Sequence, residues 1–231
     1  MSWRTNSFVL ILRNIGRTLG LNKWIASYLL GGGYETRYDS NFSSALRQGD
    51  CVWDVGANIG YYTKLFSDRV GELGQVFAFE PSPVNFKRLV SACASIGNAT
   101  LFPYGLGAED GKFRFQQGAD ELGATSRIVE TESEGMTVAI RSGTSLISSG
   151  EAPVPNAIKI DVEGFEYEVL EGLREYIQSP QLRLIGIEVH FHILKERGIP
   201  QIPQQIEVLL NSNGFSVSWS DSSHIIAIRG A

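Results

Sequence analysis

The chain has 231 residues, with 20 Lys+Arg against 25 Asp+Glu and a formal charge of −5. That length fits one fairly large domain or two small ones, and 43% hydrophobic against 19% charged residues excludes a disordered, collagen-like or coiled-coil chain. A pI near 5.3 argues against broad binding to a phosphate backbone, so no nucleic-acid partner is expected.

Residues 7–30 carry an amphipathic helical pattern, with Arg4, Arg13, Arg17 and Lys23 as the cations. A helix packed on the domain is the first reading; contact with a membrane surface is the second. No run approaches the ~18 apolar residues of a membrane span. Residues 31–44, GGGYETRYDSNFSS, form the first break, so residues 1–45 read as an N-terminal helical segment with a lid-like loop, and 46–231 as the main domain. Tyr34, Tyr38 and Phe42 are expected to offer flat apolar surface to an acceptor.

After that break strands and helices alternate. Cys51–Val55 is a short buried strand. Residues 60–70 form a helix, and Gln75–Glu80 a second strand. Ser82 caps a helix with Pro83 in its first turn; Phe86, Leu89, Val90 and Cys93 share its apolar face, and Gly97 ends it. Residues 99–102 are a third strand. Residues 103–156 are a Gly- and Ser-rich insert with β-like pieces at 112–115 and 136–140, suited to facing a substrate. Ala157–Val162 is the fourth strand, followed by a helix with Phe165, Val169, Leu173 and Ile177 on one side. Leu182–His190 is the fifth, and a helix through Ile202, Ile206, Leu209 and Leu210 ends at Gly214. Strands 215–219 and 224–229 close the chain as an antiparallel pair. The alternation implies an α/β domain: a mostly parallel sheet with helices on both faces. Cys51 and Cys93 form no CxxC pair, so they are expected as buried free thiols in a reducing compartment, consistent with a cytoplasmic protein.

In such a sheet ligands bind at the carboxyl ends of the strands. The first end reads Asp54-Val55-Gly56-Ala57-Asn58-Ile59-Gly60, a glycine turn leading into a helix N-terminus that suits an anionic group. It is not the GxGxxG of a dinucleotide site, and no GK[ST] follows. Glu80 ends the second strand, where an acid can accept a ribose diol. Asp161 and Glu163 flank the fourth strand's end, where carboxylates can face a cofactor, orient a hydroxyl, ligate a cation or cap a helix. Glu188 and His190 end the fifth; His190 is placed to take a hydroxyl proton, while His192 and His224 read as structural or exposed. Only Asp161 and Glu163 stand out as ligands, so no metal is expected.

Three pieces together carry a resemblance: DVGANIGYYT at 54–63, FEPSP at 79–83 and IKIDVEGFEYEVLEGL at 158–173, supported by IEVH at 187–190. The chain resembles the FkbM-type family of AdoMet-dependent methyltransferases over roughly residues 50–230. The resemblance implies a Rossmann-like sheet of seven strands in the order 3-2-1-4-5-7-6 with the last strand antiparallel. It implies methyl transfer to a hydroxyl of a small molecule, sugar or lipid-linked glycan. S-adenosyl-L-methionine (AdoMet) would lie along Asp54, Gly56, Asn58 and Gly60 with its ribose on Glu80, and Asp161 and His190 would face the acceptor. A nucleotide-cofactor oxidoreductase and a non-catalytic scaffold of the same fold are the alternatives.

Overall fold

The computed structural model describes residues 35–116, 127–129 and 136–230. The amphipathic pattern at 7–30 and Tyr34 lie outside the described residues.

Among the described residues, helix α1 (Glu35–Ala45) comes first. Strand β1 (Cys51–Val55), helix α2 (Tyr61–Val70), strand β2 (Gln75–Phe79), helix α3 (Pro83–Ala92) and strand β3 (Ala99–Phe102) follow. The insert contributes β4 (Gly105–Gly107), β5 (Gly111–Gln116), β6 (Arg127–Val129), β7 (Met136–Ser142) and helix α4 (Gly143–Ser148). Then come β8 (Ala157–Ile160), α5 (Glu166–Glu171), β9 (Leu184–Glu188), α6 (Phe191–Glu196), α7 (Ile202–Ser212), β10 (Phe215–Trp219) and β11 (His224–Arg229).

The main sheet has seven strands in the order β10-β11-β9-β8-β1-β2-β3. Numbered along the chain within this sheet, that is the expected 3-2-1-4-5-7-6. β1 pairs in parallel with β2 and β8, and β11 is antiparallel to both β9 and β10. Successive residues of β1 serve opposite faces, as pleating requires. Val52 joins Tyr38, Phe42, Phe66 and Val70 under α1 and α2, while Trp53 and Val55 join Leu146, Leu170 and Ile206 under α4, α5 and α7. With both faces covered, β1 and β8 are buried at every position.

Ser82 caps α3 as expected, its hydroxyl accepting the Asn85 N–H, and Pro83 lies in the first turn. Leu89 and Cys93 are buried beneath that helix; Val90, assigned to the same apolar face, is 44% exposed. Strand β9 stops at Glu188, short of the expected His190, which is instead the N-cap of α6. Cys51 and Cys93 are free and buried, and burial pushes the Cys51 thiol up to about 12.

One expectation needs correction. Residues 35–45 are helix, not loop, and Tyr38 and Phe42 are each 1% exposed. They pack on the sheet where Gly186 leaves room; a Cβ there would lie 2.3 Å from the Tyr38 hydroxyl. Their rings belong to the core and cannot be an acceptor platform. The insert, in turn, bears out the β-like pieces expected at 112–115 and 136–140, which fall within β5 and β7. It forms a second sheet in the order β4-β7-β5-β6, with Asp110 bridging Arg141 (2.8 Å), the Ser142 N–H and the Ser145 hydroxyl. Among the described residues no helix is long and apolar enough to cross a membrane.

Candidate functional site

The carboxyl ends of β2, β1, β8 and β9 lie side by side in the sheet and bring most of the sequence-assigned residues together. At the end of β1 the chain turns sharply. Gly56 has φ +80°, and a Cβ there would sit 1.9 Å from the Asp161 carbonyl oxygen. This turn is fixed by its approach to the neighbouring strand's backbone, since no larger residue fits between them. A Gly56→Val change is therefore a folding defect before it is a cofactor defect. Gly60 caps α2 with φ +91° and faces α3, where a Cβ would meet Cys93 Sγ and Leu89 Cδ1 at 2.9 Å. Asn58 lies between them in the left-handed region at φ +51°. Its N–H donates to Glu80 Oε2 at 2.9 Å, and its own Oδ1 is buried without a hydrogen bond.

Glu80 is 5% exposed. Burial pushes its carboxyl up to about 7, although the Ser82 and Asn58 N–H groups pull it down. Further donors from a diol would lower the cost of keeping that charge buried, so Glu80 and Asn58 fit a ribose-bearing cofactor.

Asp54, assigned to the cofactor, is instead fully buried behind the turn. It accepts the Thr63 hydroxyl at 2.7 Å and faces Lys159 Nζ at 3.5 Å. Lys159 also donates to the Gly56 carbonyl at 3.2 Å, lies 3.4 Å from Asp161 Oδ2 and stacks over the Tyr62 ring. One buried ammonium thus ties the ends of β1 and β8 together. The paired registers Asp54↔Lys159 carry this link, and sequence reading gave Lys159 no role. Its signal was a lone lysine in an otherwise apolar strand, since a buried lysine is seldom without a charged partner. Tyr61 is half-exposed beside the turn, while Tyr62 donates to Asp39 Oδ1 at 2.6 Å.

His190 and Asp161 do share one space: Nε2 and Oδ1 are 3.5 Å apart. Glu163 Oε2 lies at 3.3 Å and Glu188 Oε1 at 3.8 Å from the same nitrogen, and Nδ1 is 2.6 Å from Glu166 Oε1. Burial alone would push the ring's pKa down; Glu163, Glu166 and Glu188 outweigh it and hold the ring well above 6.5. At 2% exposure and ringed by carboxylates, His190 is a poor free base. Glu163, read beside Asp161 as a carboxylate able to face a cofactor or ligate a cation, and Glu166, quoted in the motif without a role, complete its surroundings. Their signal was the i, i+2, i+5 spacing of Asp161, Glu163 and Glu166 about a strand end.

The other histidines behave as read from the sequence. His192 is exposed. His224 stacks on Tyr38 and sits 2.8 Å from Asp221 Oδ2 and 3.7 Å from Glu188 Oε2. Burial would lower its pKa, but Asp221 and Glu188 raise it from 6.5 to about 9. A raised histidine pKa stabilises the fold fully below its unfolded value and loses that effect as pH rises through about 9. The loss should approach about 3 kcal/mol, and His224→Gln should remove this part of the pH dependence. Urea unfolding at a series of pH values from neutrality upward checks it; identical pH dependence in both proteins would refute it.

Comparison with known proteins agrees with this geometry. The FkbM methyltransferase domain matches residues 54–217. The hexuronic acid methyltransferase AglP of Haloferax volcanii is 38% identical over 142 residues, 61% of this chain and 56% of that protein. The 31-O-demethyl-FK506 methyltransferase FkbM of Streptomyces tacrolimicus is 28% identical over 204 residues, 74% of this chain and 75% of that one. The crystal structure of methyltransferase FkbM from Methylobacillus flagellatus KT shares the fold, with a TM-score of 0.57 at 16% identity, over 83% of this chain and 47% of that chain. The chain therefore spans about half the length of AglP and of that solved structure. With the glycine turn, the buried acid after β2 and the carboxylates after β8 all lying inside the matched residues 54–217, this chain belongs to the FkbM methyltransferase domain family.

Proposed function

We propose that this protein is an AdoMet-dependent methyltransferase acting on a hydroxyl oxygen of a sugar or small molecule. The observation that carries the reading is the buried Glu80 carboxylate, held by the Asn58 and Ser82 N–H groups beside the Gly56–Gly60 turn, next to an acidic cluster at the neighbouring strand ends. Membership of the FkbM domain family supports it, as do the names of two relatives, a hexuronic acid methyltransferase and a 31-O-demethyl-FK506 methyltransferase. AdoMet, when bound, supplies a sulfonium methyl whose carbon–sulfur bond breaks, leaving its electron pair on sulfur, as the acceptor oxygen bonds the carbon.

The chain's own residues then have separable tasks. Glu80 accepts the ribose hydroxyls, and Asn58 Oδ1 is free to accept from the cofactor. The first N–H groups of α2 face a carboxylate. The acidic cluster provides negative potential for a cationic centre. Asp161, whose side chain is 16% exposed while His190 is sealed, orients the acceptor hydroxyl and takes its proton. His190 holds the Asp161 and Glu163 carboxylates in place. The turn lacks the GxGxxG spacing of dinucleotide sites, so nothing in the geometry favours the oxidoreductase alternative. Two free, buried thiols suit a reducing, cytoplasmic setting.

The test is incubation with methyl-labelled AdoMet and a panel of uronate-bearing and neutral glycans. Label that survives mild alkali, as an ether does, is the expected product. Alkali-labile label would mark a carboxylate ester and overturn the hydroxyl assignment; absence of AdoMet binding would overturn the whole reading. Calorimetry adds a residue-level check. Glu80→Ala should weaken AdoMet and its demethylated product alike by about 1–3 kcal/mol, roughly 5- to 150-fold. Because the ionised carboxylate is the acceptor, wild-type affinity should rise as pH increases through about 7. Glu80→Gln should lose that rise; a parallel rise in the variant would refute the assignment.

A further inference from the structure

His190 caps α6 with its ring fully buried. Its Nδ1 lies 2.6 Å from Glu166 Oε1, an oxygen that also accepts the Gly164 N–H at 2.9 Å. Glu166 is completely buried and both of these contacts are with its carboxylate, so Nδ1 carries the proton and donates. With Nδ1 engaged there, Nε2 turns towards Asp161 Oδ1 at 3.5 Å and Glu163 Oε2 at 3.3 Å. Nε2 is buried and makes no hydrogen bond. Two carboxylate oxygens converging on one buried point repel each other unless a positive charge lies between them.

The distances distinguish a proton from a larger cation. An N–H donor to a carboxylate closes to ~2.7–2.9 Å on one oxygen. Here the two oxygens are nearly equidistant and both are farther away. Ligands about 2.1 Å from a shared cation lie roughly 3.0 Å apart at a right angle and roughly 3.4 Å apart at a tetrahedral one. The observed 3.3 and 3.5 Å match that spacing, and the three ligand atoms all fall within 4.8 Å of one another. Neighbouring groups set them in place. Lys159 engages Asp161 Oδ2, leaving Oδ1 towards His190. Glu163 is held in left-handed backbone at φ +52° where the chain doubles back after β8. A ligand histidine anchored through its other nitrogen to a buried carboxylate is the usual outer support of a metal centre.

We propose that Asp161, Glu163 and His190 bind one divalent cation, which holds the acceptor hydroxyl in an open coordination position. This differs from the sequence expectation of no metal, which weighed two carboxylates and left the histidine as a base. Two carboxylates favour Mg²⁺ or Mn²⁺ and the imidazole favours later first-row ions, so Mn²⁺ satisfies both preferences. Three protein ligands leave positions for water and one acceptor oxygen, and coordination would lower that hydroxyl's pKa. The cation-binding claim stands on the cluster alone; the acceptor role rests on the methyltransferase reading.

The experiment is titration of chelator-treated protein with Mn²⁺, followed by the loss of the free-ion electron paramagnetic resonance signal, with AdoMet affinity measured on the same samples. One saturable equivalent is expected. Glu163→Gln and His190→Gln should each weaken it at least tenfold, with AdoMet affinity retained as evidence of a folded site. Pulsed resonance should show coupling to an imidazole nitrogen in wild type and none in His190→Gln. No saturable binding of Mn²⁺ or Zn²⁺ by protein that binds AdoMet would overturn the proposal, leaving a proton between the three groups. Equal Mn²⁺ binding by wild type and variants would overturn it too. Mn²⁺ binding without AdoMet binding would keep the site and remove the methyltransferase reading. Metal-stripped enzyme should lose methyl transfer and regain it with Mn²⁺.

Discussion

Lys159→Met should destabilise the protein by about 3–5 kcal/mol, the usual result of removing one partner from a buried ion pair. Lys159 is 3% exposed, and its ammonium lies between Asp54, which is fully buried, and Asp161. Met keeps most of the alkyl stem and its packing against Tyr62, so the loss would be mainly electrostatic. It leaves Asp54 buried with only the Thr63 hydroxyl as a hydrogen-bond donor at Oδ2, and leaves the Gly56 carbonyl without its lysine. The double variant Lys159→Met/Asp54→Asn should recover part of the loss, because the orphaned charge goes with the lysine. Urea unfolding of both variants and wild type measures this. A loss under about 1 kcal/mol for Lys159→Met, or no recovery in the double variant, would show that water or a rearranged side chain replaces the ammonium.

The contrast between what the sequence disclosed and what it concealed follows from the range of the interactions. The seven main strands were legible because central parallel strands are apolar runs stopped by glycine or a polar turn, as in Cys51–Val55 and Ala157–Ile160. Ser82 with Pro83 is a local signal and predicted its helix start correctly. The insert was harder. β4 is three residues long and pairs with β7 more than thirty positions away, so nothing local marks it. The aromatics of α1 were misread because a Gly- and Ser-rich flank resembles a loop. Only the tertiary fold shows that Tyr38 and Phe42 cover Gly186. At the site, the turn and each acid were visible as strand-end residues, but their partners were not. Glu166 looks like an ordinary first-turn helix acid until His190 arrives from another strand end. Asp54 looks like a ligand contact until Lys159 is found across the β1–β8 ladder. Charge pairing across a parallel sheet depends on register, which the sequence alone does not give.

Asp161→Asn should lower the rate of methyl transfer by ~10²–10⁴-fold while leaving AdoMet affinity within about twofold of wild type. The substitution keeps the side chain's shape, and the Asp161 N–H bond to the Val55 carbonyl that anchors the segment is a backbone contact. Lys159 retains Asp54, so the protein should remain folded. What disappears is the negative charge that faces His190 on one oxygen and Lys159 on the other. With the charge goes the group placed to orient the acceptor hydroxyl and to take its proton, and one oxygen ligand of the inferred cation. The cofactor contacts assigned to Glu80 and Asn58 belong to the ends of β2 and β1 and are left in place. Loss should therefore fall on kcat, whereas Glu80→Ala should fall on the KM for AdoMet. This division separates a reacting-centre carboxylate from a merely structural one, since a structural defect would disturb both constants together. Single-turnover transfer with saturating AdoMet measures the chemical step directly. A fall smaller than about tenfold would remove Asp161 from the reacting centre. A parallel collapse of AdoMet affinity would reassign it to holding the cofactor.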